Sequence, residues 1–319
     1  MHVHGSHLEV AYGGRALFTY TYVPQNDAFE TPKPHLHPVR TLAGNCVTIY
    51  RPHDHLWHHG IAMTFAHLAG TTAGGRVESQ NFWGGNAYVH GQGYKRLPEL
   101  VGSQRHRAWE EMACGADGIR LRHRVAWVEY GGAEWLDETR TLAVTDASAD
   151  EGWWALDFAS TLRNVSPAPL VFGSPTTAGR PSAGYGGLFW RGPRSFNKGT
   201  ILAAGGLEGS GVMGQQAAWL AYTGRHDGTD GQAAAIATPA AQSTLVFVDR
   251  PGSFRYPTRW FVRDEPYGCA SFAVTFGEEH ELGVGGHIEL RHRIIVADGA
   301  WTRDQIGRLV GSGLRDRAP

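Results

Sequence analysis

The sequence predicts an all-β protein, a large antiparallel β-sandwich with one short C-terminal helix. Three observations carry that prediction. Apolar residues recur with a period of two over long segments, turn-forming residues separate those segments, and helical periodicity is nearly absent before the last twenty residues. The period of two is the mark of strands buried on one face. A chain of 319 residues with 42 per cent apolar content can build one large core, and it reads as a single domain.

The strands follow in order. From Ile119 to Tyr130, Ile119, Leu121, Val125 and Trp127 share one face, and Arg120, Arg122 and Arg124 share the other. Trp135 to Thr145 puts Leu136, Leu142 and Val144 on one face, interrupted by Glu138 and Arg140. Trp154, Leu156, Phe158 and Leu162 form a third stripe, and Ile288, Leu290, Ile294 and Val296 a fourth. Shorter strands are expected at 45–50 and 61–67. Gly13-Gly14, Gly131-Gly132 and Arg250-Pro251-Gly252 are turn signals, and the Gly-rich stretch 205–214 reads as a long loop. A helix is expected over 302–314, where Thr302 and Gln305 fit a capping box ahead of Ile306, Leu309 and Val310. Residues 1–10 are expected to be mobile.

Composition removes several function classes. Lys plus Arg is 29 and Asp plus Glu is 30, a formal charge of −1, without the basic excess of a nucleic-acid binder. Cys46, Cys114 and Cys269 are too few and too scattered for a disulfide framework or a CxxC metal knuckle, and read as mostly buried thiols. No apolar run is long enough to span a bilayer and no signal peptide is evident, so no membrane partner and a soluble, cytoplasmic protein are expected. Edge strands of such a sandwich make a homo-oligomer possible.

The chemistry concentrates in histidine. Six of the 17 histidines lie between positions 35 and 59: His35, His37, His53, His55, His58 and His59. Imidazole at neutral pH is either a proton carrier or a metal ligand. His55, His58 and His37 are the candidate catalytic residues, with Arg40 to stabilise developing negative charge. The same positions serve as metal ligands, with His37, His55, His58 and His59 as donors and Asp54 as a ligand or as the orienter of a ring. The cofactor would be one divalent metal: zinc, manganese, calcium, copper or iron. His35 with His37, and His53 with His55, have the spacing of two that places side chains on one strand face. His123 and His292 fall on strand stripes and read as core histidines.

Two further segments supply binding groups. Asn81-Phe82-Trp83-Gly84-Gly85 offers an amide to read hydroxyls and an indole to stack on a sugar ring. Trp57 offers a second aromatic face. Arg259 and Arg263, within 257–264, suit a carboxylate or a polarised carbonyl, or else ion pairs along a strand face.

HPVRT at 37–41, DHLWHHG at 54–60, NFWGG at 81–85, RYPTRWFVRDEPYG at 255–268 and LRHRIIVADG at 290–299 resemble the DUF6807 family, also called the PmoA family. The resemblance runs over residues 20–300. It implies a bacterial protein with a sandwich of the galactose mutarotase type, and association with sugar oxidoreductases. It picks out His37, Arg40, Asp54, His55, His58, His59, Asn81 and Trp83. His35 departs from the pattern, which carries an aromatic residue there. The methane oxygenase label attached to the family does not suit this chain, because a subunit of that kind needs bilayer-spanning helices.

The expected substrate is a small carbohydrate, and three functions compete. One is an enzyme acting on a sugar, glycoside or keto-sugar by histidine acid/base chemistry, as epimerase, lyase or hydrolase, with or without a divalent metal. Another is a redox enzyme with copper or non-haem iron on histidines. The third is a carbohydrate-binding or sensor protein without turnover.

Overall fold

The computed structural model describes residues 1–227 and 241–311. Two eight-stranded sheets dominate it. The four strands read from alternation lie side by side in one sheet: Gly118–Val128, Glu134–Ser148, Trp153–Asn164 and His287–Asp298. Ser103–Gly115 flanks them on one side, and Gln242–Asp249, Trp219–Arg225 and Thr200–Ala203 extend the sheet on the other. Every pairing in this sheet is antiparallel. Leu121, Leu142 and Phe158 stand opposite one another in register, which fixes one buried face.

The polar interruption at Glu138 and Arg140 points into that buried face. Arg140 donates twice to Glu138 (2.7 and 2.8 Å) and also to Tyr20 and Gln104 (3.3 and 3.1 Å). Trp127 and Ser160 complete the carboxylate's partners. Two buried charges are tolerated because nearly every lone pair and proton is used. Tyr20 belongs to the other large sheet, so the pair also links the layers. On the outer face, Arg122 and Arg124 pair with Glu110 and Asp137, as alternation requires.

The second sheet runs in the order His2–Val3, His7–Tyr12, Arg15–Thr21, His35–Val39, Ile61–Phe65, Gly186–Arg191, Cys269–Phe272, Trp260–Arg263. A four-stranded sheet (His280–Leu282, Leu170–Gly173, His67–Thr71, Val77–Gln80) and the hairpin Ala87–Val89/Gly93–Lys95 complete the strands. Alternation along an inner strand, Gly186–Arg191, and the edge strand Trp260–Arg263 positions the site. Leu188, Trp190, Trp260 and Val262 enter the main core. Phe189 and Phe261, one residue out of phase, form a separate apolar cluster with Trp83 on the other face.

Several expectations are corrected. The first residues are paired in strands: His7–Tyr12 is zipped against Arg15–Thr21, with Leu8 and Val10 buried. Residues 45–50 form no strand. The segment makes isolated bridges, Arg40 to Cys46 and Tyr50 to His59, before Arg51 turns the chain with φ 48°. The strand expected at 61–67 breaks at Ala66, the first half joining one sheet and His67 another. Cys114 is exposed, not buried. The terminal helix is Arg303–Gly311, capped by reciprocal Thr302–Gln305 bonds, with Ile306 buried against the outer sheet face; positions 312–314 of the expected helix lie outside the described residues. No described helix is long and apolar enough to cross a membrane.

Candidate functional site

The loop 53–60 joins Tyr50 to the strand Ile61–Phe65 and carries Asp54, His55, Trp57 and His58 into a cavity of about 420 Å³. The volume lies in the range for a small-molecule ligand. Trp83, Tyr185, Phe189 and Phe261 supply its apolar wall. The wall holds together through ring contacts, Trp83 stacking on Tyr185 at 5.0 Å and meeting Phe189 at 4.4 Å.

His55 and His58 stack nearly parallel, centroids 4.6 Å apart. Their partners assign them opposite roles. His55 Nδ1 lies 2.8 Å from Asp54 Oδ2, an acceptor only, so Nδ1 carries the proton and Nε2 keeps its lone pair. Arg191 Nη1 lies 2.9 Å from His58 Nδ1. Guanidinium can only donate, so His58 accepts at Nδ1 and holds its proton on Nε2. Burial pushes the His58 pKa well below the usual imidazole value, helped by the neighbouring positive groups. Burial also lowers that of His55, opposed by Asp54. Both rings are therefore neutral near pH 7, one an acceptor and one a donor.

Asp54 is held by three residues. It accepts from His55, from Arg191 (3.2 Å) and from Arg194 (2.5 Å). Burial works against its charge, but the His55 bond and the Arg191 charge overcome it and keep the carboxyl well below the usual range. Arg191 has no exposed side-chain surface and lies 3.7 Å beneath the Tyr267 ring. Sequence reading missed Arg191, Arg194, Arg180, Tyr185 and Tyr267. The available signal for Arg191 is an arginine ending the apolar run Leu188-Phe189-Trp190.

The predicted residues divide into separate groups. Asp54, His55, Trp57, His58, Asn81, Trp83 and Arg263 reach the cavity. Arg40 does not: its guanidinium binds Gly44 O on another surface, and its carbonyl accepts from Trp154. Arg191, which lies behind the cavity rather than in its lining, is the arginine in contact with the histidine pair, through His58 Nδ1. Asn81 lines the cavity with its amide already used. Its oxygen accepts from Trp83 N and Gly84 N (2.9 and 3.0 Å) and its nitrogen donates to Gly85 O, so it shapes the turn that presents Trp83. Gly84 and Gly85 then have positive φ and press on Trp57, where a Cβ at Gly85 would meet the indole at 2.3 Å.

His37 and His59 lie in a second cluster with His35, outside the cavity. His35 and His37 both stack on Tyr50, at 5.2 and 5.6 Å. His59 contacts Glu30 Oε2 (3.2 Å) and Leu56 O (3.1 Å) through Nε2, which must donate to both. Its pKa is pushed well below the usual value by burial, so the Glu30 contact is a hydrogen bond from a neutral ring. Glu30 takes its charge partner from Arg51 at 2.8 Å. Burial lowers both His35 and His37 to about 4.

The donors expected to share a metal do not converge. Among the described residues no three His, Cys, Asp or Glu side chains form a metal-holding group. His37 and His59 are in the second cluster, His58 Nδ1 is taken by Arg191, and both Asp54 oxygens face guanidinium groups. Lys33 occupies the junction of the two clusters. Its buried ammonium donates to the carbonyls of Glu30, Thr31, Trp57 and Trp83, all within 3.2 Å, so it ties the histidine loop to the Trp83 turn. Burial lowers its pKa to about 7, against the pull of Glu30.

Fold and site define a large antiparallel β-sandwich protein with an aromatic-walled histidine cavity on the outer face of one sheet. The chain belongs to the family of unknown function DUF6807, whose model matches residues 7–311. No curated protein matches it. Among solved structures it is similar to the crystal structure of the alpha-galactosidase from Lactobacillus brevis, with a TM-score of 0.48 and 9 per cent identity. That alignment covers 98 per cent of this chain and 42 per cent of the galactosidase, so the chain spans less than half of that protein's length.

Proposed function

We propose that the cavity is the active site of an enzyme acting on a sugar, glycoside or keto-sugar by proton transfer at a carbon next to a carbonyl. The observation that carries the reading is the stacked pair of neutral imidazoles with opposite fixed tautomers. His55 Nε2 has a free lone pair, backed by Asp54, and suits the general base. His58 Nε2–H suits the donor that meets the oxygen on which charge develops. A neutral donor has an advantage here, because its proton stays on the ring while it polarises the oxygen. Trp57, Trp83 and Phe189 offer flat apolar faces for the C–H side of a pyranose ring.

The step balances simply. The C–H electron pair moves into the carbon–carbon bond and the carbonyl π pair moves onto oxygen, with the proton held on His55. Return of that proton after the enolate has turned its other face to His55 gives epimerisation. Expulsion of a β-oxygen substituent, which leaves with the proton held on His55, gives elimination. Both products share one intermediate, so one assay tests both.

The experiment is deuterium uptake from D2O into a panel of keto-sugars and reducing sugars, followed by proton NMR. Exchange at the carbon beside the carbonyl is expected, and His55→Gln should lower it by about 100-fold or more. Sugar binding without any exchange across the panel would sink the catalytic reading in favour of a carbohydrate-binding protein.

A further inference from the structure

The cavity has an unbalanced charge. Only Asp54, Arg180 and Arg263 among its lining residues carry a permanent charge, and Asp54 is already shared by Arg191 and Arg194. Two guanidiniums therefore neutralise that carboxylate and two more line the cavity, and no other carboxylate of the described residues lines the space.

Arg180 and Arg263 sit on one wall. Arg180 lies 5.6 Å from the Tyr185 ring and Arg263 5.4 Å from the Phe261 ring, and those two rings meet edge to face at 4.8 Å. Arg263 Nη2 reaches the carbonyl of Ser182 at 3.4 Å, which brings it to the loop that carries Arg180. Arg191 and Arg263 both stand opposite Cys269 in the sheet register, from the strands on either side of it, so the positive charge continues along one row.

Among the described residues neither wall arginine has a carboxylate partner. Arg180 donates through Nη1 to the hydroxyls of Tyr94 and Tyr185, and among the described residues its other nitrogens have no hydrogen-bond partner. Arg263 makes a single long contact to a neutral carbonyl. An arginine needed only to hold a fold is ordinarily paired with an acid, as Arg140, Arg293 and Arg51 are in this chain. Guanidinium groups held by aromatic rings beside a cavity, with donor edges free, are arranged to receive an anion.

We infer that this wall is an anion-recognition subsite and that the substrate is a sugar carrying a carboxylate or phosphate group. The inference rests on the cavity being the sugar site proposed above. The anionic group binds Arg180 and Arg263, and the aromatic wall takes the ring between them and the imidazoles.

The test is titration calorimetry of the full chain at low ionic strength with glucose, glucuronate and glucose 6-phosphate, and with the galactose counterparts. One acidic form should bind at least about tenfold more tightly than its neutral parent, as expected of a charge-assisted contact. Preference for the uronate identifies a carboxylate, and preference for the phosphate ester identifies a phosphate. Arg263→Gln should abolish most of that preference. Because this residue makes only one long hydrogen bond, the variant should fold, and Arg180→Lys provides a second variant that keeps the charge but loses the fork. Equal affinity for acidic and neutral sugars, or a preference that survives both substitutions, overturns the inference. Failure of every sugar to bind overturns it together with the proposed function. The two separate in the exchange assay. Arginine-dependent acid binding without deuterium uptake removes the catalytic reading alone, and equal uptake by neutral sugars removes the anion subsite alone.

Discussion

The tautomer of His58 is the point on which the site's chemistry turns, and Arg191→Met tests it directly. The substitution keeps an unbranched side chain beneath Tyr267 and removes the donor to His58 Nδ1. A buried acceptor left unpaired costs about 1–3 kcal/mol. The lost contact with Tyr267 adds about 1 kcal/mol. Asp54 keeps His55 and Arg194 as partners and is a quarter exposed, so its charge is not stranded. Removing Arg191 also removes a buried Nε that has no partner in the native protein, which offsets part of the loss. The net expectation is a destabilisation of about 2 kcal/mol, within the roughly 5–15 kcal/mol by which domains are stable.

The chemical effect should be larger than the thermal one. With Nδ1 no longer required to accept, His58 can place its proton there and withdraw the Nε2–H donor. Loss of one such donor lowers turnover by about 100- to 1000-fold. Imidazole nitrogen-15 NMR reads the tautomer without any substrate. Native His58 should show a protonated Nε2 and a bare Nδ1 at neutral pH, whereas Arg191→Met should show a mixture of the two tautomers. A native ring protonated on Nδ1, or a cationic one at neutral pH, would refute the assignment of roles. So would an Arg191→Met protein whose exchange rate stays within about threefold of native.

Three other outcomes follow from the same geometry. His35 is buried neutral, with its pKa lowered from 6.5 to about 4 by desolvation. The unfolded chain therefore takes up the proton first, so stability is full above about pH 6.5 and falls as pH drops toward 4, by about 3 kcal/mol for this ring alone. Urea midpoints that stay flat over that window would contradict it. Gly85→Ala places a Cβ 2.3 Å from the Trp57 ring at φ 72°, and should cost about 2–4 kcal/mol and weaken sugar binding; a denaturation midpoint equal to native would contradict the close approach. Arg40→Ala should leave deuterium exchange within about twofold of native because the residue lies on another surface, and a loss of about 10-fold or more would return it to the site.

The legible part of the molecule was the part with a solvent-facing side. Strands such as Gly118–Val128 put Arg122 and Arg124 out and Leu121 and Val125 in, so alternation marks them. Gly186–Arg191 is buried on both faces, core on one side and cavity on the other, and all six of its residues are buried. Such a strand has no alternation to read, and Arg191 at its end leaves only one charged letter after an apolar run. The histidines present the opposite difficulty. Density drew attention to a loop that enters a cavity, but His58 and His59 are neighbours whose rings go to different places, one to Arg191 and the cavity and the other to Glu30. Spacing along a loop carries no period, so it cannot assign a side. Asn81 shows a third limit: an amide suited to hydroxyls is equally suited to closing its own turn, and the backbone of Trp83 and Gly84 is nearer than any ligand.

The second histidine cluster gives the loop 53–60 a footing that a surface loop lacks. Glu30 receives Arg51 and His59, which pins both ends of the loop, and His59 Nε2 also reaches Leu56 O within it. Lys33 then binds Trp57 O on the loop and Trp83 O on the facing turn with one ammonium. Positions of His55 and His58 are thereby set from below by Glu30 and Lys33 and from the side by Arg191. Catalytic donors act at full strength only when they need no rearrangement as charge develops. On this account, damage to Glu30 or Lys33 should impair the site without touching the cavity. Under the proposed function, the dense histidine text of the sequence encodes one reactive pair and one scaffold that keeps the pair still.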